Sequence, residues 1–572
     1  MNALDDDAVG LRRRFLQVGD RRAHYLRAGV GPPVVLVHSS PANAWFLLPE
    51  IEALATSYTV FAFDTPGFGL SQPLPLASMT VADLADALAE TLAAIHMPPC
   101  PMFGTHSGAA IALEFGVRHP DRVTGLVLDG VPAFTEAECA ALFGDYFRKL
   151  PVSDLGGQYA AAWTRFRDQT IWFPWSHRRP QNLNRYDLSP PASTHLWVSM
   201  YFDAADTYTP AYYATSHYGA RAIAAASALS LPAIYTATDT DMLLPHLERL
   251  PPMKPGQSIR RIGTSHDAKR ELIEEGFARF GSRHAAPADR DEIHSTRGVA
   301  RQFADSADGR QVHLRYAGAR TSPTLLFLHD APGSTAQHET LIAALSADWF
   351  VVAPDMPGSG ESDPFAHPPV MDDLSAEMDR LLETLGIEHA SAYGVGFGAS
   401  VAVALAERSD RLDTVVAQGL LLPTPQERTA LVADYTPAIS IEPDGAHWYR
   451  TWLMLRDSRV WWPWFDRRKV TQRRVETRFD ADDLHRWTVD VMRRHDSYGH
   501  VAQAALGHHL DATLPRLGGR IIRVIDPPTP LSVFDDRASE LLPDAPTLIR
   551  GSDLAAFSQA LTSTLRALAH AC

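Results

Sequence analysis

The chain states one long pattern twice. Val34-Val35-Leu36-Val37-His38 leads to Phe63-Asp64-Thr65-Pro66-Gly67-Phe68-Gly69, and Leu325-Leu326-Phe327-Leu328-His329 leads to Pro354-Asp355-Met356-Pro357-Gly358-Ser359-Gly360. His329 follows His38, and Asp355 follows Asp64, by the same 291 residues. Gly104-Thr105-His106-Ser107-Gly108 recurs in the same way as Gly394-Val395-Gly396-Phe397-Gly398. So long and regular a period means two copies of one large domain, not an array of short repeats. A chain of 572 residues is also too long for one ordinary core. The expected division is a first domain over 1–281, a linker over 282–297 and a second domain over 298–572.

Within each copy, short apolar runs alternate with helical patterns. In the first, Val34–Val37, Val60–Phe63, Pro101–Phe103, Gly125–Leu128 and Ala233–Thr236 read as buried parallel strands, with helices over Ala82–Ile95 and Ala109–Arg118. This is the α/β signature, a mostly parallel sheet covered by helices. Between Leu128 and Ala233 the strand pattern stops, and the segment is aromatic, with Trp163, Trp172, Trp175, Trp197 and Tyr212 among others. It reads as an inserted helical cap, about 134–228, matched by about 424–510 in the second copy. Arg167 to Trp175 aligns with Arg456 to Trp464. Aromatic residues there either pack the cap onto its base or roof a pocket.

Small-x-X-x-small between a strand and a helix is a nucleophile elbow, a sharp turn that pushes its central side chain over the sheet edge. The centre here is His106, with Ser107 one step late; in the second copy it is Gly396, which has nothing to react. Asp64 and Asp355, before Pro-Gly turns, read as loop braces, and His24 and His313 as structural.

Composition narrows the field. A net charge of −15 argues against nonspecific nucleic-acid binding. Cys100, Cys139 and Cys572 are too far apart to suggest a metal motif and fit a reducing compartment. The sequence shows no export signal and no membrane-spanning run, so the expectation is a cytoplasmic protein acting on a small molecule.

With these motifs together, both copies resemble α/β-hydrolase-fold domains with a helical cap, in the branch of haloalkane dehalogenases, epoxide hydrolases and carbon–carbon bond hydrolases. The resemblance rests on Val37 to Pro41, Asp64 to Ser71, the elbow and Arg118 to Val123. It implies a chain order of nucleophile, acid and histidine. It places His106 at the nucleophile, Asp241 (preferred over Asp239) at the acid and His266 at the histidine, with the Ser39 and Ser107 N–H groups as oxyanion hole. His38, Trp172 and Trp175 are expected at the substrate pocket. In the second copy Asp553 stands where His266 would, and Asp526-Pro527-Pro528 matches the acid loop poorly. That copy is expected to be degenerate and to support the first as an intramolecular pseudo-dimer, with a homodimer also open.

Four readings of His106 stand. It is catalytic, as nucleophile or proton shuttle, in hydrolysis, carbon–carbon cleavage, decarboxylation or isomerisation of a carbonyl substrate. Ser107 is the nucleophile in a shifted elbow. His106, His266 and Asp241, with His38, bind a metal. Or the first copy is also inactive and binds a ligand or scaffolds a partner. The first, cofactor-free and without an Asp ester intermediate, is the expectation.

Overall fold

The computed structural model describes residues 10–569 except 77, 145, 283, 290–297, 476, 478, 527 and 528. Most of the expected linker, 282–297, and Pro527-Pro528 of the second acid loop lie outside the described residues, as does Cys572.

The first copy has strands β1 (Arg12–Val18), β2 (Arg21–Ala28), β3 (Pro33–Val37), β4 (Thr59–Phe63), β5 (Cys100–Thr105), β6 (Val123–Asp129), β7 (Ala233–Thr238) and β8 (Gln257–Ile262). The second has β9 (Ala300–Asp305), β10 (Gln311–Ala317), β11 (Thr324–Leu328), β12 (Phe350–Pro354), β13 (Ala390–Val395), β14 (Leu412–Gln418), β15 (Ile521–Ile525) and β16 (Thr547–Ile549). The first sheet runs β1-β2-β4-β3-β5-β6-β7-β8, and the second repeats that order as β9-β10-β12-β11-β13-β14-β15-β16. The two leading strands of each sheet are antiparallel and the rest parallel. The protein is thus two tandem α/β domains. The central strands are apolar throughout because helices cover both faces: every residue of β3, β4 and β5 is buried. The antiparallel pairs were not legible as such, since Arg12-Arg13-Arg14 and Arg21-Arg22 break the apolar pattern of β1 and β2.

Each sheet carries a helical insert. Between β6 and β7 lie helices Glu136–Leu142, Gly157–Ile171, Pro191–Ala204, Thr209–Ser216 and Gly219–Ala228. Pro425–Asp434, Ala446–Asp457, Ala481–Arg493 and His500–Gly507 sit between β14 and β15. The paired Arg178–Asp168 and Arg467–Asp457 bridges brace the two inserts alike.

Much of the aromatic content of the inserts is used where the copies meet. Tyr159 stacks on Trp448 with ring centroids 5.9 Å apart, and Trp163 Nε1 donates to the Pro443 carbonyl at 3.1 Å. Trp448, Trp452, Leu484 and Met492 are buried in the same apolar cluster as the first copy's core. Between the sheets, Phe15 of β1 stacks on Phe303 of β9 at 5.2 Å. Arg13 and Arg14 cross the same seam to Asp363, at 2.6 Å, and Asp305, at 2.7 Å.

Candidate active site

The elbow forms as a strand-to-helix turn at the carboxyl end of β5. Helix Ser107–Arg118 starts at once, with His106 as its N-cap at φ 49°, ψ −111°. Gly396 in the second copy takes nearly the same conformation, φ 56°, ψ −122°. A non-glycine residue there carries about 1–3 kcal/mol of strain, held by the surrounding contacts. The flanking glycines are sterically required. A Cβ on Gly108 would lie 2.2 Å from the Val37 carbonyl oxygen, and one on Gly104 2.4 Å from that of Gly108.

His106 reaches Asp241 directly. Its Nε2 lies 2.9 Å from Asp241 Oδ2, while Asp241 Oδ1 accepts the Leu243 N–H at 2.8 Å. An ionised Asp241 makes Nε2 the protonated nitrogen. Nδ1 has no hydrogen-bond partner among the described residues, and the ring lines a cavity. A side chain on Gly130 would strike the ring, its Cβ 2.4 Å from His106 Cδ2. Burial pulls the His106 pKa down, but the charge and hydrogen bond of Asp241 outweigh it and leave it raised. For Asp241, burial pushes the pKa up, and His106 with the Leu243 N–H overcomes that and holds it low. The two shifts describe one ion pair seen from each side.

His266 does not join this pair. It opens helix His266–Phe280 as an exposed side chain, and its charge acts on Glu50. The physical reason is reach. An imidazole at the elbow extends past the position of a serine oxygen and meets the acid itself, where the third residue of a triad would stand. Lys269, one turn further along that helix, points inward instead and pairs with Asp129 at 2.9 Å. Sequence reasoning missed both; the one available signal was the contrast of Asp129 with Gln418 at the matching end of β14.

The oxyanion hole also needs correction. The N–H facing the cavity is that of Ser40, not Ser39. It donates to Ser107 Oγ at 2.6 Å, and the two hydroxyls are 3.0 Å apart. The second copy shows what such a pair of N–H groups can hold. There the matching groups, of Ala331 and Phe397, both donate to Asp330 Oδ1, at 2.8 and 2.9 Å.

His38 is not a pocket residue. It is buried, its Nδ1 is bonded to the Ser39 carbonyl and its Nε2 accepts the Thr65 N–H, both at 2.9 Å. It ties the loops after β3 and β4 together, as His329 does in the second copy. Asp64 braces the same region through His24, Ala44 and Leu70. Trp172 and Trp175 also miss the pocket: Trp172 bridges to Leu183, and Trp175 Nε1 donates to the Tyr146 carbonyl. Phe173, between them, lines it with Phe134, Phe143 and Tyr212. The cavity is small, about 60 Å³. Among the described residues no three His, Cys, Asp or Glu side chains are arranged to hold a metal ion, so His106, Asp241, His266 and His38 do not assemble as a ligand set.

Comparison with known proteins gives the family. The model for the alpha/beta hydrolase fold matches residues 32–268 and 323–435, more than half of the chain. The chain belongs to the alpha/beta hydrolase fold family. Over 128 residues it is 35% identical to (E)-2-((N-methylformamido)methylene)succinate hydrolase of Acinetobacter baylyi, covering 22% of this chain and 48% of that protein. Over 101 residues it is 39% identical to a pimeloyl-(acyl-carrier protein) methyl ester esterase of Chromobacterium violaceum, covering 18% and 37%. The chain spans about half or less of the length of these curated relatives. A solved hydrolase from Pseudomonas aeruginosa superposes on 46% of this chain and 98% of its own, with TM-score 0.38 and 17% identity. The alpha/beta hydrolase fold thus occurs here twice, with His106 at one elbow and Gly396 at the other. Among the described residues no helix is long and apolar enough to cross a membrane.

Proposed function

We propose that the first copy is a hydrolase for a small ester, lactone or related carbonyl compound, with the His106–Asp241 dyad as its proton shuttle. The observation that carries this reading is the 2.9 Å bond from His106 Nε2 to Asp241, which leaves Nδ1 as the free basic nitrogen in the cavity. His106 Nδ1 takes a proton from water, and the water oxygen attacks the carbonyl carbon. Charge developing on the carbonyl oxygen is received by the Ser40 and Ser107 N–H groups once the Ser107 hydroxyl turns aside. Collapse of the tetrahedral species expels the leaving group, which takes the proton back from the imidazolium. Asp241 fixes the tautomer and stabilises the imidazolium. Relatives named as a hydrolase and an esterase support the reaction class.

A second reading, a ligand-binding pseudo-hydrolase, is favoured by the small cavity, about 60 Å³. The Ser107 hydroxyl also occupies the Ser40 N–H. A panel of small esters, lactones and β-diketones, with wild type and His106→Ala, separates the readings. Turnover that disappears in the variant supports the shuttle. Absence of turnover on the whole panel, or turnover indifferent to the substitution, overturns it.

A further inference from the structure

The cavity at the second copy's elbow, about 280 Å³, is larger than that at the first and stands at the lower edge of small-molecule pockets. It lies beside the Gly396 elbow, next to the Asp330 carboxylate that takes the place of an elbow side chain. Asp330 lines it. With Oδ1 held by the two N–H groups, Oδ2 has no hydrogen-bond partner among the described residues. Arg459 lines it too. Its guanidinium lies 4.9 Å from the centre of the Trp487 ring and makes no ion pair among the described residues. The first copy has Thr170 at the aligned position, so this cation is peculiar to the second.

The other charges at the cavity are matched. Asp526 accepts from Arg550 and from Gln418, each at 2.9 Å. Burial lowers Arg459, and burial together with Arg459 lowers the neighbouring Arg473 to about 10. Among the lining groups Arg459 and Arg550 face Asp330 and Asp526, and Asp483 and Asp330 act on Arg459 from beyond ion-pair distance. The rest of the wall is aromatic and apolar. Both indoles are fixed by their N–H groups, Trp464 on the Tyr435 carbonyl at 2.8 Å and Trp487 on that of Pro332 at 2.7 Å.

We propose that the second copy binds a small aromatic carboxylate carrying a hydroxyl group, with the carboxylate on Arg459 and the hydroxyl donating to Asp330 Oδ2. A planar guanidinium in a water-poor cavity is suited to a carboxylate, and its stacking on Trp487 keeps the fork oriented. The ring lies among Trp464, Trp487 and Tyr435. Gly396 leaves the space of an elbow side chain to Asp330, which is thereby presented at the cavity. The site is separate from the His106 dyad and does not depend on turnover there.

Isothermal titration calorimetry of the full chain with 4-hydroxybenzoate, benzoate and phenol tests it. The expected result is one-to-one binding in the order 4-hydroxybenzoate, benzoate, phenol. Arg459→Ala should weaken 4-hydroxybenzoate at least tenfold, and His106→Ala should leave it unchanged. Arg459→Gln, which keeps a polar side chain, should give the same loss if the alanine variant is unstable. No binding by the wild-type chain, equal affinity for phenol and 4-hydroxybenzoate, full affinity in both Arg459 variants, or loss in His106→Ala would each overturn the proposal.

Discussion

Asp330 holds its carboxylate over Gly396, so that a Cβ on Gly396 would lie 2.0 Å from Asp330 Oδ1. The missing elbow side chain and the carboxylate from the neighbouring loop therefore occupy one place in space. Gly396→His, which copies the first elbow, must displace Asp330 and adopt φ 56°. Expected is a loss of stability of ~2–4 kcal/mol, from the roughly 1–3 kcal/mol of left-handed strain plus the clash. Asp330→Ala should relieve part of it, giving a coupling of ~1 kcal/mol or more in a double-mutant cycle read by urea unfolding. Strict additivity would show that the two groups do not compete.

The pH dependence of the first site follows from its ion pair. The raised His106 contributes stability that is complete below its unfolded pKa of about 6.5 and fades as pH rises through the folded value. The depressed Asp241 contributes stability complete above about 3.9, lost as pH falls through the folded value. The pair is at full strength between about pH 4 and 6.5. With the His106 side chain 42% exposed, solvent screening limits the effect to about 1 kcal/mol or less. Thermal melts of wild type and Asp241→Asn across pH 3–9 should differ most inside that window.

Activity depends on the same pair in the opposite sense, since the base is the neutral imidazole. For the substrate found in the panel, kcat/KM should rise with pH through a midpoint above about 6.5. Asp241→Asn should move that midpoint down and lower kcat, and His106→Ala should cost about 10²–10⁴-fold. A midpoint unmoved in Asp241→Asn would separate the titrating base from His106.

Ser107→Ala distinguishes a plug from a nucleophile. Removing the hydroxyl frees the Ser40 N–H, and a neutral hydrogen bond of about 0.5–1.5 kcal/mol corresponds to a gain of about 2- to 10-fold in kcat. If the hydroxyl attacks the substrate, the variant should instead be inactive. Steady-state kinetics on one ester decide between them.

The seam between the copies should be part of each fold. Trp448→Ala removes a fully buried ring that packs on Tyr159. A loss of about 3–5 kcal/mol is expected, with protection of amides in helix Gly157–Ile171 falling in hydrogen exchange. Unchanged exchange there would show that the inserts are energetically independent.

The fold was legible because its signals are local or periodic. Buried parallel strands must be apolar throughout, the elbow needs small residues on both sides of its centre, and the duplication repeats both at one offset. Asp241 could be found for the same reason, as an acid just beyond β7 ahead of Pro245. His266 could be aligned, yet alignment places a backbone position and not a side chain.

What the sequence by itself determined was two α/β-hydrolase-type copies, the His106 and Gly396 elbows and the unequal survival of their loops. Only the tertiary structure decided what fills the space at each elbow. An imidazole is long enough to meet Asp241 without His266, and a glycine leaves room for Asp330 to take both N–H groups. It also decided that much of the cap aromatic surface is spent on Tyr159, Trp163, Trp448 and Trp452 at the seam, with Phe173 rather than Trp172 or Trp175 facing the cavity. Reach, register and the competition of side chains for one volume are set by distances across the fold, which spacing along a chain does not encode.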